Sequence, residues 1–138
     1  MNENSVTAKI IKFMCSEPDC HARKRHGGRF GSGEPDIDGC VFGRAFKCEV
    51  KVTGGELTKL QATMLDRWRD AGADTTVAVY DRDAKQLRVV HLHDSERWID
   101  LAGPVSKIDG GWKYDLTPTG IMNWVHSIPD CQGRQGGE

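Results

Sequence analysis

The sequence predicts an α/β (α+β) domain, a mixed β-sheet flanked by helices, and three observations carry that expectation. Residues 44–52 (RAFKCEVKV) alternate with the period of a strand: Phe46, Cys48, Val50 and Val52 fall on one face, Lys47, Glu49 and Lys51 on the other. Directly after them Leu57, Leu60, Met64, Leu65, Trp68 and Ala71 recur at helical spacing. Two more strand-like runs follow that helix, residues 75–80 and 86–92, joined by the turn-prone residues 81–85. Strands on both sides of an amphipathic helix call for a layered sheet.

Taken in chain order, Val6, Ile10, Ile11 and Met14 predict a helix over residues 5–14. Residues 16–35 are rich in Gly, Pro and charge and read as loop, with a short strand near residues 22–26. Residues 37–42 and 44–52 read as two strands meeting at a turn near Gly43, and Gly54-Gly55 ends the second. Thr58 with Gln61 three residues on fits a capping box, and Gly72 fits a helix terminator. The order is therefore α-β-β-β-α-β-β. Beyond it, residues 94–101 suggest a short helix, and residues 105–108 and 112–116 flank the hairpin signal Asp109-Gly110. Ile121, Met122 and Val125 suggest one more helical segment, and the last ten residues open on a turn at Pro129 and fray. This divides the chain into a core, residues 1–94, and a C-terminal extension, residues 95–138. Trp112, Tyr114 and Trp124 give the extension a packing role or a dimer contact.

The 138 residues are one domain's worth, and 38% hydrophobic with 28% charged residues is ordinary for a globular protein. No run approaches the roughly 20 apolar residues that cross a bilayer, and residues 1–10 are too polar for a signal peptide. The expectation is a cytoplasmic protein with no membrane partner. Five cysteines at irregular spacing argue for reduced thiols over a disulfide framework. Cys15, Cys20, His21 and His26 match zinc spacing only loosely and lack a Cys-x2-Cys, so structural Zn²⁺ finds little support. His91 and His93 share a strand face without a third partner and read as exposed polar residues.

A net charge of −1 speaks against tight, indiscriminate coating of DNA. Its distribution says more: HARKRHGGR holds Arg23, Lys24, Arg25, His26 and Arg29 and no acid. Such a run is either a solvated loop or a phosphate-contacting patch.

Residues two apart on a strand project together, so Glu49 and Lys51 share a face. Folding the hairpin at Gly43 brings the start of the preceding strand, with Asp36 and Asp38, beside them. A carboxylate pair next to a lysine suits phosphodiester hydrolysis: hard oxygen ligands hold Mg²⁺, the metal activates water, and the ammonium offsets developing charge. Pro-Asp alone is usually a turn, and Glu-x-Lys alone is usually a solvated face. Their combination, GEPDIDGCVFGRAFKCEVKVTGGELTKLQ continuing through LDRWRDAGA, is more specific.

That run resembles the VRR-NUC branch of the PD-(D/E)XK nucleases, and KRHGG (residues 24–28) resembles the segment before Pro-Asp in its small stand-alone members, many of them phage-encoded. The resemblance spans roughly residues 3–80. It implies a restriction-endonuclease-like core, Mg²⁺ or Mn²⁺ dependence and hydrolysis of DNA leaving 5′-phosphates. By position it makes Asp36, Glu49 and the Val50 carbonyl metal ligands, Lys51 the catalytic lysine, and Glu3 a further metal-binding acid. Gln61 matches a glutamine found on the following helix, a role that stands beside its capping-box role. Arg23, Lys24, Arg25, His26 and Arg29 would contact the DNA backbone. Glu34, where relatives carry a small or apolar residue, and Cys48, in an aliphatic position, depart from the pattern. The resemblance implies a metal-dependent endonuclease selective for branched DNA, like a Holliday-junction resolvase, acting as a homodimer. Flap, single-strand or nicking cleavage is the alternative, and an inactive DNA-binding or assembly module is the rival of another class.

Overall fold

The first helix, α1 (Glu3–Met14), starts at Asn2, whose side-chain oxygen accepts the Ser5 N–H at 2.9 Å and fixes the N-cap. The computed structural model describes residues 1–25 and 33–136, and for residues 129–136 only the backbone path. Helix α1 buries Val6, Ile10 and Met14, the apolar stripe read from the sequence, and begins two residues earlier than that stripe suggested.

Strand β1 (Cys20–Lys24) pairs antiparallel with β2 (Ile37–Val41), and β2 with β3 (Arg44–Val52). The β2–β3 register sets Val41 opposite Arg44, so the turn has two residues, Phe42 and Gly43, at φ 50° and 80°. Two positive φ values define the hairpin turn whose twist matches that of the strands, which is why glycine suits its second position. A two-residue strand, β4 (Glu56–Leu57), leads into α2 (Lys59–Asp70), and β5 (Asp74–Asp81) returns parallel to β3. Strand β6 (Gln86–Val90) pairs antiparallel with β5.

The chain then departs from the expected hairpin at Asp109-Gly110. Residues Val105–Lys107 form a 3-10 turn, and β8 (Trp112–Asp115) pairs with β6. The Arg88 guanidinium donates to the carbonyls of Val105, Ile108 and Gly110, holding the connecting loop on the sheet where a partner strand was expected. The short helix expected over residues 94–101 is a 3-10 turn, Trp98–Leu101, and β7 (Gly103–Pro104) pairs with β4. Helix α3 (Pro118–Gly136) continues through Pro129, where the sequence suggested a turn.

The main sheet has the order β1-β2-β3-β5-β6-β8. On one face α1 and α3 enclose a core with Phe46, Cys48, Val50, Ala78, Leu87, Trp124 and Ile128. On the other, α2 and the 3-10 turns enclose Leu57, Leu65, Val77, Val79, Trp98 and Val105. Residues 112–115 and 121–128 thus contribute to the same sheet and core as the first 94. Among the described residues no helix is long and apolar enough to cross a membrane. The fold is a mixed sheet flanked by helices, as the sequence predicted.

Candidate active site

Strand β3 alternates as read, but its polar face is not solvated. Lys47, Glu49 and Lys51 are only 6%, 2% and 6% exposed, because α2 lies over them. Burying three charged side chains in a row costs several kcal/mol unless each finds compensation. The partners of each define the site.

Asp36 lies just before β2, and its Oδ2 accepts the Val50 N–H at 2.8 Å. The β2–β3 ladder ends at Ile37 opposite Cys48. The Asp36 side chain therefore takes over the strand edge where backbone pairing stops, and the Val50 carbonyl projects to that same edge. Asp36 also faces Glu49: burial first, then the Asp36 charge and hydrogen bond, push the Glu49 carboxyl up to about 9, against the opposing pull of Lys51. Glu49 Oε1 is buried without a hydrogen-bond partner among the described residues.

Lys51 Nζ lies 3.7 Å from Glu49 Oε2 and donates to Gln61 Oε1 at 2.8 Å. The same Gln61 oxygen accepts the Thr58 N–H at 3.0 Å, while Thr58 Oγ1 accepts the Gln61 N–H at 3.1 Å. Gln61 thus serves the helix cap and contacts Lys51 at once: the capping box fixes the amide, and the fixed amide holds the lysine. Two donors on one atom also assign that atom as oxygen. Glu3, in the first turn of α1, contributes to raising the Glu49 pKa, and its Oε2 would lie 3.7 Å from a Cβ on Gly55. Five of the predicted residues (Asp36, Glu49, Val50, Lys51 and Gln61) thus converge directly, and Glu3 borders them.

The basic residues are arranged along the sheet edge. Arg23, with its side chain 76% exposed, reaches Asp38 at 3.5 Å, and Lys24 Nζ donates to Asn4 Oδ1 at 3.1 Å. The Arg25 N–H donates to the Asp36 carbonyl at 2.8 Å, tying the basic run to the carboxylate site. His26 and Arg29 lie outside the described residues.

A second cluster escaped the sequence reading, which left Asp38 without a role. Lys47 Nζ pairs with Asp38 Oδ1 at 2.5 Å and lies 3.7 Å from the centre of the Trp68 ring. The Lys47 ammonium holds the Asp38 carboxyl below its ordinary value against the effect of burial, with a smaller contribution from Arg23. The Trp68 indole N–H donates to Glu34 Oε1 at 2.8 Å. A signal was present: Glu34-x-Asp36-x-Asp38 and Lys47-x-Glu49-x-Lys51 alternate in step on either side of the hairpin, whose register sets Asp38 opposite Lys47.

One further expectation changes. Strand β6 ends at Val90, so His91 and His93 do not share a strand face; His91 Nδ1 lies 3.2 Å from Thr76 Oγ1. Cys20 is buried and His21 exposed, on opposite faces of β1. Cys48 is fully buried and its thiol is pushed well up by burial, in keeping with an inert packing role.

The donor set suits a hard divalent cation. Asp36 and Glu49 face each other, one carboxyl is driven toward its neutral form, and one buried oxygen lacks a partner among the described residues. Among the described residues no three His, Cys, Asp or Glu side chains form a ready-made cage. Mg²⁺ keeps several waters and needs only one or two carboxylates plus substrate phosphate.

No protein-family model matches the sequence, and no curated protein matches it. Among solved structures the chain is similar to Hjc, a Holliday junction resolvase from the archaeal hyperthermophile Archaeoglobus fulgidus. The TM-score is 0.50 and the identity 18%, over 80% of this chain and 97% of that one. At that identity the likeness is one of fold, and it extends over nearly the whole of the resolvase.

Proposed function

We propose that the protein is a metal-dependent DNA endonuclease of the PD-(D/E)XK type, VRR-NUC-like in its motif order, acting on branched DNA. The observation that carries this reading is the Asp36–Glu49 carboxylate pair, in which Glu49 is buried with one oxygen unpartnered among the described residues and Lys51 at 3.7 Å. A stabilising salt bridge would satisfy its own charges; this cluster is short of positive charge. In the proposed roles Asp36, Glu49 and the Val50 carbonyl hold Mg²⁺ or Mn²⁺, with Glu3 at the margin. When bound, such a cation supplies Lewis acidity toward phosphate and a nucleophile at neutral pH.

The chain's own residues do the rest. Lys51, fixed by Gln61, places an ammonium where negative charge develops on the phosphate, and because it is buried, little solvent screens it. Arg23, Lys24 and Arg25 hold the backbone of the DNA at the sheet edge, beside Asp36. His26 and Arg29 belong to the same basic run. Specificity for branch shape would come from where these residues meet the DNA, since no described element offers itself for reading base edges.

The fold shared with a junction resolvase favours four-way junctions over flaps, single strands or nicking sites, and a homodimer would present two sites to two strands. The test is cleavage of a four-way junction, a flap, a linear duplex and a single strand by the purified protein with Mg²⁺ or Mn²⁺. Paired symmetric cuts confined to the junction are expected. Cutting of flaps or single strands alone would replace the resolvase reading, and binding without any cutting would make the chain a DNA-binding module.

A further inference from the structure

Three acids alternate around the start of β2: Glu34, Asp36 and Asp38. The outer two are both engaged by one stack. Asp38 is paired with Lys47 at 2.5 Å, Lys47 sits 3.7 Å above the Trp68 ring, and the Trp68 indole N–H donates to Glu34 at 2.8 Å. Asp36, between them, has one oxygen on the Val50 N–H and faces Glu49.

We propose that Trp68 and Lys47 are positioning residues for Asp36, a clamp from α2 and β3 that occupies the flanking carboxylates and leaves Asp36 aimed at the metal position. The inference rests on reading Asp36 as a metal ligand. Its physical content is threefold. The hydrogen bond from Trp68 ties the segment before Asp36 to a helix. The Lys47 ion pair ties the residue after it to the neighbouring strand. Lys47 also neutralises an acid that would otherwise compete for a cation two residues from Asp36. Partners of this kind, one step removed from a metal ligand, change metal affinity by roughly 10–100-fold when removed.

The experiment is calorimetric titration of the full chain with Mn²⁺, without DNA, for the wild type, Trp68→Phe, Glu34→Ala, Glu34→Gln and the Trp68→Phe/Glu34→Ala double variant. Trp68→Phe keeps an aromatic ring beneath Lys47 and removes the N–H donor. The expected result is a Kd raised at least about tenfold in Trp68→Phe and in Glu34→Ala. Glu34→Gln, which keeps an accepting oxygen, should stay near the wild type. The double variant should be no weaker than the singles, because both break one bond.

Cleavage rates in the single variants should recover at saturating Mn²⁺, which a general folding defect would not allow. If the wild type binds Mn²⁺ and the variants bind it equally well, or if their losses add, the clamp is wrong and the metal site stands. A wild type that binds no Mn²⁺ overturns the metal reading and the clamp with it. Should Trp68→Phe fail to fold, the contrast between Glu34→Ala and Glu34→Gln decides alone.

Discussion

Glu49 is a carboxyl group held where its charge is penalised, and that has measurable consequences. In the metal-free fold its pKa is raised from 4.5 to about 9, chiefly by burial and then by Asp36. The folded protein therefore keeps a proton that the unfolded chain releases. The stability this contributes is complete below about pH 4.5 and is lost as the pH rises toward 9. Melting temperature in chelator should fall across that window, and Glu49→Gln should flatten the fall. Divalent metal binding within the window should release about one proton per metal, read from titration heats in buffers of different protonation enthalpy. Release of no proton would mean that Glu49 is not the ligand. Lys51 calls for a related revision. The sequence placed it off the apolar face, but it is 6% exposed and donates to Gln61. Lys51→Met, which keeps the buried stem, is the better variant. It should lower cleavage by roughly 10²–10³-fold with the metal-free fold retained by circular dichroism.

At the scale of elements, α2 connects the site to the rest of the molecule. Asp66, 4% exposed on that helix, accepts the backbone N–H groups of Trp98 and Ile99 at 2.8 and 3.0 Å. Asp66→Ala would leave those donors unsatisfied, and a loss of about 2–3 kcal/mol in urea unfolding is expected, with metal affinity unchanged. The helix itself was legible from its capping box and apolar spacing, but its faces were only partly so. Leu60, read as core, is 49% exposed, and Asp66 is buried. Periodicity locates a helix; which polar residue is drawn inward depends on a distant segment with backbone donors to satisfy. The same holds for β3. The alternation gave both faces, but a helix packing over the charged one could not be read locally. The hairpin expected at Asp109-Gly110 failed for a long-range reason too, since Arg88 collects three carbonyls of that loop.

Across the whole molecule, Asp36, Glu49 and Lys51 were brought together by two readings, a strand period and a turn near Gly43, because both are local. What stayed illegible was the packing of elements far apart in sequence. This includes the Trp68–Glu34 bond, the place of β8 beside β6, and the burial of Trp124 against Phe46. The basic run on and just after β1 makes a prediction at this scale. Neutralising Arg23, Lys24 and Arg25 should weaken binding to all DNAs alike. The slope of log K against log salt should shrink by about 0.9 for each phosphate no longer neutralised, measured by anisotropy in Ca²⁺. A weakening restricted to one DNA sequence would contradict a backbone role.

The central claim is that the Asp36–Glu49–Lys51 cluster hydrolyses DNA, and comparing junction cleavage by the wild type, Glu49→Gln and Lys51→Met tests it most directly. The reactions would contain Mg²⁺, with chelator as control. Cutting by the wild type that disappears in both variants and in chelator is the expected result. Cutting that persists in both variants would place the chemistry elsewhere in the molecule.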